Sequence, residues 1–435
     1  MKENNQKRDI LVIGFALFAM FFGAGSLIFP PYLGLESGED WFLGFMCFFL
    51  ADVGLAFVTI VAMINGSGSI SSITGVVGKI PALIMNTAVI ICVGPLLAVP
   101  RTAATTYEMT ILPILPSVNI VLFSIIFFCL VIILTIRPSK VVDIVGKFLT
   151  PLMVIALIIL IGFGIARPLG GYSTPIVDSV VREGILNGYQ AMDVLGALGF
   201  AILIINTVRE HGYTENKDRI NVTAKACILA GIMLFLVYCG LTYLGATVST
   251  IYNIAEVNQA SLIVDITQDL LGHFGVVMLG IIVGLACLTT AIGLVSAAAA
   301  YFEGISNGKI RYEVVVVIIG IFSMVVSNFG LTMIINIATP ILSLLYPVVV
   351  VLIVLSFFKQ KLKNKNIYKG AAGVTLVVSL LSLIDTYGVA IPFLQRLPFA
   401  SAGLNWILPA IIGGLLGALI RMRPQEESSS AEKGI

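Results

Sequence analysis

A short run of small residues near the start of the chain could create a binding site inside an apolar protein. Gly23-Ala24-Gly25-Ser26 is followed closely by Pro30 and Pro31. Glycine and proline both disfavour the interior of a helix. A helix that breaks here would free backbone N–H and C=O groups for an ion or a small polar ligand. The alternative is close helix packing through the small side chains.

A single acid, Asp193, stands within a second apolar stretch that also contains Gly196 and Gly199. An ionisable residue inside a membrane segment is a functional hypothesis by default. Asp193 could orient an unwound segment, bind a substrate amine or carry a proton. It could also be a structural partner for a backbone break or for Arg101.

Two adjacent threonines, Thr289 and Thr290, lie within a third apolar stretch. Hard cations such as Na⁺ prefer oxygen ligands, which two hydroxyls and freed backbone carbonyls could supply. The simpler interpretation is that each hydroxyl donates to the carbonyl one turn earlier in its own helix.

The composition places these stretches in lipid. The chain is 58% hydrophobic and 11% charged, whereas soluble domains have about 45–50% apolar and about 25% charged residues. This excludes a soluble enzyme, a nucleic-acid binder and a secreted disulfide scaffold. A membrane-embedded enzyme is disfavoured because no histidine, paired carboxylate or cysteine-histidine set lies within the apolar stretches.

Apolar runs predict an all-α polytopic membrane protein, since a bilayer core takes about 20 residues as a helix. Twelve such runs are present, at roughly 10–35, 41–64, 82–107, 118–136, 143–166, 186–208, 224–248, 274–302, 312–328, 332–357, 369–387 and 404–421. With the N-terminus in the cytoplasm, 21 of the 25 Lys and Arg residues fall on the inner side. This asymmetry predicts that both termini are cytoplasmic.

The two candidate breaks lie in spans one and six, which are corresponding positions if the chain contains two five-helix halves. Paired interruptions of this kind are the best sequence indication of a transporter binding site. A channel is a less suitable interpretation, since channels usually have short symmetric units and rings of pore-lining groups.

Four motifs make the sequence resemble the branched-chain amino acid:cation symporter family, the BrnQ-type bacterial carriers. They are Phe15–Pro31 (FALFAMFFGAGSLIFPP), Val93–Ala103 (VGPLLAVPRTA), Gly188–Asp193 (GYQAMD) and Ala286–Leu294 (ACLTTAIGL). Ser26 stands where this family is expected to have Asn commonly. The family is in turn similar to the amino acid–polyamine–organocation superfamily.

The resemblance implies one transporter domain, residues 1–435, built as a five-plus-five inverted repeat with broken helices one and six. The first half is 10–166, the second is 186–357, and two extra helices occupy 369–421. It also implies two sets of binding residues. Na⁺ would meet the carbonyls of Ala19, Phe22 and Ala286 and the hydroxyls of Thr289 and Thr290. The amino-acid substrate would meet Gly23, Ala24, Gly25, Ser26, Asp193, Val194, Ala197 and Phe200.

The expected function is import of leucine, isoleucine and valine by alternating access, driven by a Na⁺ gradient. The location would be the bacterial cytoplasmic membrane, with lipid as the surrounding solvent. No cofactor, nucleic acid or obligatory protein partner is expected. Two alternatives stay open: the same fold coupled to protons through Asp193, and a carrier of another small neutral amino acid.

Overall fold

The computed structural model describes residues 2–65, 68–136, 150–388 and 391–420, and all regular structure in these ranges is helical. The α-helices are α1 Lys2–Phe21, α2 Ala24–Ser37, α3 Trp41–Phe49, α4 Leu55–Asn65, α5 Ser71–Thr74, α6 Lys79–Ile91, α7 Ala98–Thr106, α8 Leu112–Ile114, α9 Ile120–Ile136, α10 Thr150–Ala166, α11 Val180–Ala191, α12 Asp193–Glu210, α13 Asn216–Thr247, α14 Ser261–Ile305, α15 Tyr312–Ser327, α16 Leu331–Ser356, α17 Lys365–Thr386, α18 Pro392–Gln395 and α19 Ile407–Leu419. Three π-helical turns, Leu50–Gly54, Cys92–Leu96 and Tyr107–Ile111, join α3 to α4, α6 to α7 and α7 to α8. Short 3₁₀ turns occupy Gly38–Asp40, Gly75–Val77 and Ala400–Ala402.

Many of these helices are apolar enough for a bilayer. Within the described ranges, six helical segments are each long and apolar enough to cross a membrane, and four more apolar helices are shorter. The six are Ala24–Asn65, Lys79–Ile114, Asn216–Thr247, Ser261–Ile305, Leu331–Ser356 and Lys365–Thr386. The prediction of an all-α membrane protein is therefore supported, while the number of twelve crossings stays a prediction. Residues 143–149 of predicted span five lie outside the described residues.

Helix α2 lies between α3 and α13, and its backbone is in direct contact with the backbone of α13. The chain turns back at Gly38, whose φ of +50° favours glycine. On the other side, a Cβ at Gly34 would lie 1.9 Å from the Thr242 carbonyl oxygen, and one at Gly245 would lie 1.8 Å from the Pro31 carbonyl oxygen. Because neither position has room for a side chain, α2 and α13 touch main chain to main chain.

A similar contact joins α3 to α11. A Cβ at Gly184 would lie 2.5 Å from the Gly44 carbonyl oxygen, and one at Gly188 would lie 3.0 Å from the Phe48 carbonyl oxygen. The π-helical turn Leu50–Gly54 follows this contact directly. Such turns are frequent at functional sites, and this one carries Asp52.

Glu108 ties three segments together at one end of α7. Its carboxylate accepts hydrogen bonds from the backbone N–H of Leu331, at 2.8 Å, and from the Asn258 side chain, at 3.4 Å. An acid at a helix N-terminus is stabilised by the helix dipole. The start of α16 is therefore fixed to the end of the α7 segment.

The last two long helices, α17 and α19, meet along a strip of glycines. A Cβ at Gly370 would lie 2.1 Å from the Gly413 carbonyl oxygen, whereas one at Gly373 would meet no atom within 4 Å. The two positions lie one turn apart on the same helix, so they form a matched pair.

We expect Gly370→Ala to destabilise the protein by about 1–3 kcal/mol, because the added methyl group overpacks a backbone contact. Gly373→Ala should be neutral or stabilise the helix by about 0.5–1 kcal/mol, since alanine restricts the unfolded chain. The measurement is the apparent Tm of the purified full-length protein at one scan rate. Equal Tm values for the two variants would contradict the described α17–α19 contact.

Candidate functional site

The first predicted span is broken between α1 and α2. The N–H of Phe22 makes the last α1 hydrogen bond, to the Phe18 carbonyl at 2.7 Å, and Gly23 is extended at φ −134° and ψ −154°. In a continuous helix the Gly23 N–H would donate to the Ala19 carbonyl. Here it donates to the Ser26 hydroxyl oxygen at 3.2 Å. The Ala19 carbonyl therefore loses its usual helical donor.

Ser26 bonds to both sides of this break. Its hydroxyl donates to the Phe21 carbonyl at 3.1 Å, and its oxygen lies 2.6 Å from the hydroxyl of Tyr238 on α13. Because a serine hydroxyl has one proton, Tyr238 is the donor when Ser26 donates to Phe21. Tyr238 is fully buried, so α13 supports the broken segment. No sequence signal pointed to Tyr238.

The sixth predicted span is broken at Met192. Helix α11 ends at Ala191, Met192 takes the left-handed conformation at φ 69°, and α12 begins at Asp193. A left-handed conformation is uncommon for residues other than glycine and clusters at functional sites. The break lies inside the motif that suggested it, and it puts Asp193 in the first turn of α12.

Arg101 caps the end of α11. One guanidinium nitrogen donates to the Gln190 carbonyl, and the other donates to the Ala191 carbonyl at 3.0 Å. These carbonyls carry the partial negative charge of a helix C-terminus, which favours a cation. The guanidinium also lies over the Phe29 ring, with its carbon 5.5 Å from the ring centroid. The geometry thus shows Arg101 as a structural partner of the break.

The two breaks meet at Gly25. A Cβ at this position would lie 3.0 Å from the Ala191 Cα and 3.0 Å from an Arg101 guanidinium nitrogen. The start of α2, the end of α11 and the Arg101 side chain are thus packed without space for another carbon atom. Glycine is needed at this position for the close approach.

A cavity of about 30 Å³ lies between the breaks, which is room for about two water molecules and too little for an amino acid. Of the residues predicted to bind substrate, Gly23, Ala24, Gly25, Ser26, Asp193 and Phe200 line it. Val194 and Ala197 are fully buried and do not line it. The stripe of α12 that faces the cavity passes through residues 193, 196 and 200, so Gly196 takes the place predicted for Ala197.

The rest of the lining is largely aliphatic and aromatic. Met20 and Phe21 come from α1, Val93 from the π-helical turn before α7, and Leu294 from α14. The Phe21 and Phe200 rings meet edge to face, with centroids 6.0 Å apart. Polar backbone groups at the breaks and an apolar wall thus surround one small space.

Asp193 meets a second acid that the sequence could not pair with it. The carboxyl group of Asp52, which is fully buried on the π-helical turn of span two, lies close to that of Asp193. The backbone N–H of Asp193 also lies near the Asp52 carboxyl group, although neither Asp52 oxygen accepts a well-formed hydrogen bond in the described part of the chain. A hydrogen bond between two carboxyl groups requires a proton on one of them.

The two predicted cation-binding threonines face different spaces. The Thr290 hydroxyl oxygen is buried, lacks a hydrogen-bond partner among the described residues, and would lie 2.9 Å from a Cβ at Gly23. Thr289 donates to the carbonyls of Leu285, at 3.0 Å, and Ala286, at 2.9 Å. This is the back-bonding alternative, although it leaves the oxygen lone pairs of Thr289 free.

Thr289 lines a second cavity of about 40 Å³ together with Ala19 and Ala286. Thr150 and Met153 of α10 complete it on the side of predicted span five, a contribution not foreseen from the sequence. The structure therefore brings three members of the predicted cation set, Ala19, Ala286 and Thr289, to one cavity. Thr290 lies at the other cavity, and the buried Phe22 lines neither.

Comparison with known proteins gives a consistent family. Residues 6–423 match the family model described as branched-chain amino acid transport protein. The chain is 34% identical to the branched-chain amino acid permease BrnQ of Bacillus subtilis, with 94% of this chain and 96% of the relative aligned. It is 36% identical to the permease of the same name from Salmonella typhimurium, with 96% and 97% aligned.

Two solved structures share the fold at low sequence identity. The nucleobase-cation-symport-1 family transporter Mhp1 superposes with a TM-score of 0.63 at 12% identity, covering 94% of this chain and 91% of Mhp1. MhsT in complex with L-phenylalanine gives a TM-score of 0.56 at 16% identity, covering 94% and 98%. The match along nearly the whole sequence shows that the chain belongs to the branched-chain amino acid transport protein family, a family of transport permeases and not of enzymes.

Proposed function

We propose that this protein is a secondary symporter that imports leucine, isoleucine and valine together with Na⁺ by alternating access. The observation that carries the proposal is the meeting of two helix breaks at one small, mostly apolar cavity. The family and the permease names of its relatives support the substrate class. The multi-pass helical fold supports a location in the bacterial cytoplasmic membrane.

The proposed topology has twelve spans and two cytoplasmic termini. The halves 10–166 and 186–357 form the inverted repeat, and 369–421 adds two helices to the single domain. The breaks at Gly23 and Met192 support this arrangement because they fall in spans one and six. The distribution of Lys and Arg supports the orientation.

The proposed substrate site uses the broken backbone for the zwitterion and the apolar wall for the side chain. Free N–H groups at the start of α2 suit a carboxylate, whereas Asp193 and nearby carbonyls suit the ammonium group. Phe200 and Leu294 would contact the aliphatic side chain. Such a wall discriminates by only about 1–3 kcal/mol per methylene, so the three amino acids should compete.

Binding requires the helices to separate, because the cavity between the breaks is smaller than any amino acid. The Arg101 hydrogen bonds to Gln190 and Ala191 hold the α7 segment against the end of α11. On the side assigned to the cytoplasm, the Tyr213 hydroxyl donates to Asp9 at 2.9 Å. Opening to either side of the membrane would break one of these contacts, which is the requirement of alternating access.

Na⁺ would be carried as the second substrate, held by carbonyls of Ala19, Phe22 and Ala286 and hydroxyls of Thr289 and Thr290. Two features support part of this set: the cavity shared by Ala19, Ala286 and Thr289, and the Gly23 N–H that has turned away from Ala19. A cation there would stabilise the broken segment and so raise substrate affinity, a coupling of about 1–3 kcal/mol.

Proton coupling is a second candidate because of the Asp52–Asp193 contact. Two carboxyl groups that share one proton could take up a second or release the first as the site opens. The imported amino acid would then travel with a proton, and the threonines would be structural.

In wild type, Na⁺ should raise the affinity for leucine by about 5- to 150-fold, the range of a typical coupling free energy. We expect replacement of Thr289 and Thr290 by alanine to abolish this effect of Na⁺. The measurement is radiolabelled leucine uptake into proteoliposomes at varied Na⁺ concentration. Thr375→Val is the control, because Thr375 is a buried, back-bonded threonine on α17. Full Na⁺ dependence in the double variant would show that the cation binds elsewhere.

A second experiment separates the two coupling ions. With a Na⁺ gradient and no pH gradient, leucine should accumulate in wild-type proteoliposomes; with a pH gradient in Na⁺-free buffer it should not. Under Na⁺ coupling, Asp52→Asn keeps accumulation driven by Na⁺. Accumulation driven by the pH gradient alone, and its loss in Asp52→Asn and Asp193→Asn, would replace Na⁺ coupling with proton coupling.

A further inference from the structure

A large cavity with polar lining lies away from both helix breaks, between α11, α16, α17 and the start of α19. It measures about 480 Å³, a size within the range of small-molecule sites, about 300–1,000 Å³. We propose that it is a second, non-transported binding site for a small zwitterionic amino acid. The choice of ligand rests on the proposed function, and the cavity itself does not.

The cavity has polar groups that lack well-formed hydrogen bonds among the described residues. Ser379 is 4% exposed and Trp406 is 7% exposed, and both line the cavity. Neither the Ser379 hydroxyl nor the Trp406 indole N–H makes a well-formed hydrogen bond in the described part of the chain, although the indole lies near the Tyr189 hydroxyl. A buried polar group without a partner is destabilising by about 1–3 kcal/mol. Two such groups at one cavity indicate a polar ligand or ordered water there.

The charged groups suit a zwitterion. Arg182 of α11 and Asp385 of α17 are the two charged residues among those that line the cavity, one of each sign. A carboxylate prefers a guanidinium with N–H and O–H donors, which Arg182, Ser379 and Trp406 supply.

An ammonium group prefers carboxylate and carbonyl oxygens. One Asp385 oxygen accepts a hydrogen bond from the Ile391 N–H, which leaves the other for a ligand. The Ser343 carbonyl lacks its helical donor because Pro347 has no N–H.

The remaining lining suits a short aliphatic side chain. Leu186, Pro340, Leu383 and Leu394 provide apolar surface, while further hydroxyl and amide groups surround them. A sugar or a nucleotide would leave one of the two charges and this apolar surface without a partner. A neutral α-amino acid of the transported class provides a partner for both charges and for the apolar surface.

The cavity also contacts the closed site through one hydrogen bond. Thr339 lines it and accepts a hydrogen bond from the Gln190 side chain, while the Gln190 carbonyl accepts one from Arg101. Tyr189, next in sequence, lines the cavity and stacks on Tyr346 at 4.5 Å between ring centroids. A ligand in the cavity would therefore rest on the half-helix that Arg101 holds, so its occupancy would affect opening of the transport site.

The test is the stoichiometry of equilibrium L-leucine binding to the full-length protein in nanodiscs with Na⁺. Radiolabelled leucine should saturate at two molecules per wild-type chain. Ser382→Trp, which fills the cavity from α17, should bind one. Leu380→Trp is the matched control on the same helix, since Leu380 is 46% exposed on the outer surface of the bundle, and it should bind two.

Arg182→Gln keeps the inference testable if the tryptophan variant fails to fold. Arg182 is exposed, so its substitution should leave leucine affinity at one site unchanged. At the other site it should lower the affinity about tenfold, through loss of a charge-assisted hydrogen bond. Saturation at one leucine per wild-type chain, or two unchanged sites in both Ser382→Trp and Arg182→Gln, would overturn the second site and leave the proposed function standing. Absence of leucine binding by the wild-type chain would overturn the proposed function as well.

Discussion

The whole site depends on one constraint: in hydrocarbon, every backbone N–H and C=O group needs a hydrogen-bond partner. A transporter that breaks two helices in the middle of the membrane must therefore supply partners from elsewhere. Ser26 supplies them at the first break, where it contacts both Phe21 and Gly23. Arg101 supplies them at the second, where it takes up the last carbonyls of α11.

The same constraint explains where the few charged groups lie. Only 11% of the residues are charged, yet Arg101, Asp52 and Asp193 come together beside the breaks. The C-terminus of α11 attracts the cation, and the N-terminus of α12 favours the Asp193 carboxylate. Arg101 and Asp193 thus each stabilise a helix end, and Asp52 lies beside Asp193. The same groups are then close to any zwitterion or ion that enters the cavity.

The sequence was sufficient to locate both breaks, because glycine, proline and a lone acid interrupt otherwise apolar runs. It also indicated most of the cavity lining on the α2 side, since consecutive residues around a break must face the same space. It could not give the rotation of α12 after Met192, so Val194 and Ala197 were expected where Gly196 lies. Contacts between distant helices, such as Ser26 with Tyr238 and Asp52 with Asp193, left no local signal.

The glycine contact between α2 and α13 limits how fast the helices around the site can move apart. Gly34 and Gly245 bring the two backbones together, and Tyr238 joins α13 to Ser26 nearer the break. Helix α2 is thus attached to α13 at two heights, so it cannot tilt alone. In the proposed mechanism, admission of an amino acid beside α2 is then a collective motion of a helix pair. Such motions take microseconds to milliseconds, far longer than the rotation of a single side chain.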